Sequence, residues 1–87
     1  MTNEAHIKAL DEMLTLLAWS TDGTYARKTV QDLSSQVEAV KCDLNLGQPL
    51  RNTSISVLIA PTGDLQETAM ENGWGDAFLR LANVLDP

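Results

Sequence analysis

Apolar residues recur at steps of three and four along the first stretch of the chain: Ile7, Leu10, Leu14 and Leu17, widened by Met13, Leu16 and Ala18. Lys8, Asp11, Glu12 and Thr15 fall on the other side. That period is one face of an α-helix. Asn3 or Thr2 can cap its start, and Glu4 suits the positive end of the helix dipole. Ser20–Thr21–Asp22–Gly23 is turn chemistry and ends the helix near Trp19–Ser20. A second helix is expected to start between Asp22 and Thr24 and to carry Tyr25. Its apolar positions Ala26, Val30, Leu33, Val37, Val40 and Leu44 alternate by four and three, which is an a/d seam. The opposite face holds Arg27, Lys28, Gln31, Gln36, Glu38 and Lys41, and Asn45–Leu46–Gly47–Gln48 ends it. Two such helices across a short loop predict an antiparallel hairpin.

The middle of the chain carries two signals. Pro49 suits the first turn of a helix, with Leu50, Ser54, Ile55, Leu58 and Ile59 along one face. Thr53 to Ile59 is also rich in β-branched residues, so a short strand is the alternative. A lone strand would lack a partner, which favours helix. Ala60–Pro61 stops the element in either case. Asp64–Leu65–Gln66–Glu67 then has capping-box spacing and opens a short helix to about Asn72. Leu65, Ala69 and Met70 are placed inward, Glu67 and Glu71 outward. Asn72–Gly73 terminates it. Trp74, Phe78, Leu81, Ala82 and Leu85 form the stripe of a last helix with Asp76 near its start. The expectation is an all-α fold, residues 1–87 as one domain: the N-terminal hairpin packed against two or three shorter helices.

Composition narrows the function. Eighty-seven residues make a small core, since a chain of this size buries only about 60–65% of the surface its unfolded form exposes. The longest apolar run, Val57–Leu58–Ile59–Ala60, is far short of a membrane span, and a basic-then-apolar leader pattern is absent at the N-terminus. The lone Cys42 cannot form an internal disulfide and reads as a half-buried thiol near a helix end. Together these point to a cytoplasmic chain without a membrane partner. The net charge is −6, and from Cys42 onward only Arg51 and Arg80 oppose Asp43, Asp64, Glu67, Glu71, Asp76 and Asp86. A nucleic-acid backbone would be repelled, so a target, where there is one, is basic.

The residues do not converge on catalysis. His6 is the only histidine and reads as a surface or helix-end residue. No Cys/His pattern closes a zinc site, no alternating acids form an EF-hand loop, and Gly73–Trp74–Gly75 is not a phosphate loop. The carboxylate pairs Asp11/Glu12 and Glu67/Glu71 belong to polar faces. Asp32–Leu33–Ser34 scrambles the Asp-Ser-Leu step of acyl carrier proteins and lies inside a helix. The chain is therefore expected to be neither an enzyme nor a cofactor carrier, and no metal is expected.

What remains is interaction. Trp19, Tyr25 and Trp74 lie at or beside helix ends, where an aromatic is either a core lid or a part-exposed interface anchor. In the second case Trp74 would form an aromatic centre within an acidic rim of Asp64, Glu67, Glu71 and Asp76, suited to a basic protein cleft.

Gly63–Asp64–Leu65 followed by Asn72–Gly73 resembles the C-terminal part of a family of small bacterial helical proteins. There a Gly-(Ser/Asp)-Leu step opens a short helix before an Asn-Gly break and a final helix. The resemblance covers about a third of the chain, and the family's Trp-Ala step in the second helix is replaced by Tyr25–Ala26. Members are often encoded beside polymorphic toxins. This implies an immunity protein or antitoxin that binds a toxin domain with a basic cleft and blocks it. Two other readings are a helical adaptor or regulatory subunit, which could pair as a homodimer, and a phage-type inhibitor that mimics nucleic-acid charge.

Overall fold

The first helix, α1 (Glu4–Ala18), turns Ala9, Leu10, Met13 and Leu17 fully inward, with Ile7, Leu14 and Leu16 half-buried beside them. Most of the three-and-four stripe of the sequence lies on this face, but Ala18, expected to widen it, is exposed, and Ala9, outside the stripe, is buried. The computed structural model describes residues 4–22, 27–60 and 63–86. The expected cap at Thr2 or Asn3, the residues Tyr25 and Ala26, and Pro61 lie outside them.

The second helix, α2 (Val30–Asn45), begins later than its seam predicts. Residues 27–29 are not helical. The start is set by a capping box: Thr29 Oγ1 accepts from the Asp32 backbone N–H at 3.1 Å, and the Asp32 carboxylate accepts from the Thr29 N–H at 3.2 Å. Asp22 adds a second acceptor, taking the Val30 N–H at 2.8 Å. These side chains satisfy N–H groups that the first turn leaves unpaired, which fixes the start of α2 at Val30, and the expected start between Asp22 and Thr24 falls partly outside the described residues. From Leu33 on the seam is as expected, with Leu33, Val37, Val40 and Leu44 buried. Cys42 is exposed, not half-buried. It stands two residues, about 200° of helical rotation, from both Val40 and Leu44.

The segment from Leu50 to Leu58 is helical but broken. A 3₁₀ turn (Leu50–Asn52) precedes a one-turn helix, α3 (Ile55–Leu58), and no strand occurs among the described residues. Thr53 makes the break. Its Oγ1 donates to the Leu50 carbonyl at 2.6 Å and accepts from the Ile55 N–H at 3.3 Å, so a side chain takes over bonds that a continuous helix would make. Ile55, Leu58 and Ile59 point into the core, Leu50 is half-buried, and Ser54 faces solvent against expectation.

Two further helices follow, α4 (Asp64–Glu71) and α5 (Gly75–Leu85). Gly63, not Asp64, is the N-cap of α4. Leu65, Thr68 and Ala69 are its buried positions; Met70, expected inward, is exposed and lies over Gly75. On α5, Phe78, Leu81 and Leu85 are buried and Ala82 is half-buried.

Helix α1 packs on α2 and α5, α4 packs on α5 and α2, and α3 lies against α2. The fold is a small all-α bundle built on an α1–α2 hairpin. Its radius of gyration, 11.9 Å, matches the roughly 12 Å of a well-packed chain of this length. Ion pairs link the outer edges, Lys41 of α2 to Asp11 of α1 and Arg80 of α5 to Glu12 of α1. Both lie at solvent, where such pairs add little.

Apolar burial must therefore supply most of the stability. Phe78→Ala is expected to cost about 3–5 kcal/mol in urea unfolding. Val57→Ala, at an exposed apolar position, should stay within about 0.5 kcal/mol of the parent.

Candidate functional site

The acidic stretch singled out from the sequence is folded around the elbow between α4 and α5. Asn72 closes α4, and Gly73 adopts φ +83°, a left-handed conformation that costs glycine nothing. The Trp74 N–H then reaches back to the Ala69 carbonyl at 2.9 Å, and the Gly73 N–H to the Met70 carbonyl at 3.3 Å. This pair of bonds is a Schellman motif, and the buried Ala69 and Trp74 supply its apolar contact. Gly47 ends α2 in the same way, with Gln48 N–H bonded to the Asp43 carbonyl at 3.0 Å.

The turn drives Trp74 inward. Its side chain is only 7% exposed, so it takes the core-lid role and is not the centre of an aromatic surface. An indole N–H taken from water needs an acceptor. Nε1 donates to Ser20 Oγ at 2.8 Å, and Ser20 Oγ donates in turn to the Leu16 carbonyl at 2.8 Å. A polar relay thus runs from the elbow to a carbonyl at the C-terminal end of α1, which also accepts the Trp19 backbone N–H at 3.2 Å.

Asn72 makes a second link. Its Oδ1 accepts from the Thr21 backbone N–H at 2.9 Å and from Thr21 Oγ1 at 3.3 Å. Its Nδ2 donates to the carbonyls of Thr21 and Thr68, each at 2.9 Å. The side-chain amide pairs with the donor and the acceptor of one residue, as a neighbouring strand would. Elbow and α1 terminus, 51 and 54 residues apart in sequence, are clasped together.

The acids divide accordingly. Asp64 Oδ1 accepts the Arg27 backbone N–H at 2.9 Å. With Asp22 on Val30 it anchors the chain entering α2, so its carboxylate serves the fold. Glu67 is half-buried on α4, while Glu71 and Asp76 are exposed on either side of the elbow. Asp64 and Glu67 occupy the first turn of α4 and Asp76 that of α5, where negative charge suits the helix dipole. Glu71 and Asp76 flank the elbow, Asp64 and Glu67 belong to the other end of α4, and the indole expected at their centre is covered.

The exposed tryptophan is Trp19, at 86%. It had the same two readings as Trp74, although only Trp74 continues the apolar spacing of its helix, four residues before Phe78. That spacing was the local signal, and the acceptor that completes it lies 54 residues from Trp74. Ser20 offers a hydroxyl at the end of α1 that can accept an indole N–H from Trp74, and Trp19 has no comparable reason to turn inward.

Among the described residues no cluster of three or more His, Cys, Asp or Glu could hold a metal ion, and no helix is long and apolar enough to cross a membrane. His6 is half-buried in the first turns of α1, and its Nδ1 is buried without a hydrogen-bond partner, as is Thr68 Oγ1. The arrangement is one of rigid presentation: exposed side chains on a backbone held from two directions. No family model, curated protein or solved structure matches the chain.

The clasp should behave as one unit. Trp74→Phe and Ser20→Ala are each expected to cost about 1–3 kcal/mol. The double variant should cost about 1 kcal/mol less than their sum in urea unfolding. Strict additivity would mean that the indole–hydroxyl bond does not couple the two segments.

Proposed function

We propose that the chain is an immunity protein or antitoxin, which binds a cognate bacterial toxin domain and covers its active cleft. The reading is carried by the exposed acids Glu71 and Asp76, with Glu67 behind them, on a backbone fixed by the Schellman turn and the Asn72 and Trp74 bonds. Negative charge held in place meets a basic cleft without first having to be ordered, which raises the encounter rate and limits the entropy lost on binding. The resemblance of Gly63–Asp64–Leu65 and Asn72–Gly73 to the toxin-associated helical family points the same way. In this reading the protein works by occupancy and takes part in no reaction.

A homodimeric adaptor is the second reading. Leu79 on α5 and Val57 on α3 are large apolar side chains that are mostly exposed, and a second copy could cover them. Sedimentation equilibrium separates the two: a stable dimer that Leu79→Glu dissociates favours the adaptor.

Coexpression with the product of the adjacent gene tests the main reading. The wild-type chain should rescue growth and copurify with that product. Glu67→Lys combined with Glu71→Lys should stay folded and lose about tenfold or more in association rate. Full toxicity in the presence of folded wild-type chain would contradict the reading.

A further inference from the structure

Trp19 is the most exposed large apolar side chain among the described residues, and the bundle gains no core from it. Its backbone is nonetheless fixed. The Trp19 N–H bonds the Leu16 carbonyl at 3.2 Å, and the Ser20 N–H bonds the Leu17 carbonyl at 3.0 Å. Beyond these, Ser20 holds the Trp74 indole and Thr21 is gripped by Asn72. A bare indole on an immobilised main chain is a preorganised anchor, since a partner that covers it orders only two side-chain torsions.

The surroundings define what would cover it. The Thr21–Asn72 pairing brings Asp22 and Glu71, each adjacent to a member of that pair and both exposed, to the same end of the molecule, with Asp76 just past the elbow. Residues 16–22 and 68–79, which build this end, contain no lysine or arginine, while Arg27 and Lys28 stand beside Asp64 at the start of α4. A second copy of this chain, itself at −6, would bring acid against acid here. A basic partner meets an attractive potential, and an indole face is the best side-chain platform for a guanidinium or ammonium group.

We propose that Trp19 is the aromatic anchor of a docking surface for a basic protein. Its indole face receives an arginine or lysine side chain, while Asp22, Glu71 and Asp76 supply the surrounding negative charge. The proposal rests on the partner-binding reading above and deepens it by naming the recognition chemistry.

The test uses a short peptide of alternating arginine and glycine, titrated calorimetrically into the full chain at low salt, with a glutamate–glycine peptide as control. Acrylamide quenching of tryptophan fluorescence is read in parallel. The basic peptide should bind, shield the quenchable tryptophan and weaken as salt rises. Trp19→Ala should lose affinity by about tenfold or more with unchanged circular dichroism and unfolding midpoint. Trp19→Phe should recover part of the loss, and Trp19→Leu, apolar but without a ring, should not. Equal affinity in wild type and Trp19→Ala, or full binding by Trp19→Leu, would overturn the proposal. Shielding that grows with protein concentration alone would overturn it too, by placing a second copy on Trp19. The toxin plays no part in this titration: failed rescue in coexpression contradicts the immunity reading and leaves the peptide result standing, and a peptide that ignores Trp19 does the reverse.

Discussion

The hydrogen bond from the Trp74 indole to Ser20 Oγ is the constraint on which the rest of this bundle depends. Helix α4 has only eight residues, too few to persist alone in water. It is held because its C-terminal turn delivers a large apolar ring to the core. The ring can be buried only because the end of α1 presents a hydroxyl where the indole N–H arrives. Asn72 repeats the linkage one step away through Thr21. The elbow in this way joins the C-terminal helices to the end of the N-terminal hairpin.

The polar side chains around the elbow hold the fold more than composition suggests. Asp22, Asp64 and Asn72 would look from composition like surface polarity, yet each places an oxygen on a backbone N–H of a distant turn or helix start. Glu71, Asp76 and Trp19 remain on the outside of the same clasp. A surface whose anchor and charges share one rigid support can bind without paying first to assemble itself.

The helical architecture was legible from periodicity. The α1 stripe, the Leu33–Leu44 seam and the Phe78–Leu85 stripe supply most of the core, because burial on a helix face repeats with the helix, although Ile7, Leu14, Leu16 and Ala82 are only half-buried and Ala18 is exposed. The Asn72–Gly73 stop was legible too, since few residues but glycine accept its backbone conformation. What the sequence concealed was side-chain bonding between distant segments. The start of α2 moved to Val30 because Thr29 and Asp32 form a box in which aspartate replaces the usual glutamate. The break at Thr53 came from one hydroxyl acting on two backbone groups. Trp74 and Trp19 exchanged the expected prominence for the same reason. Which indole is covered depends on a serine 54 residues from Trp74, and no local window contains both.

Hydrogen exchange of the two indole N–H groups, followed by NMR in the wild-type chain, tests the clasp most directly. The Trp74 indole proton should exchange slowly, protected by burial and by Ser20, while the Trp19 indole proton exchanges at the rate of a free side chain. Rapid exchange at both would mean that the elbow does not close on α1, and the division between a core indole and a surface indole would fall with it.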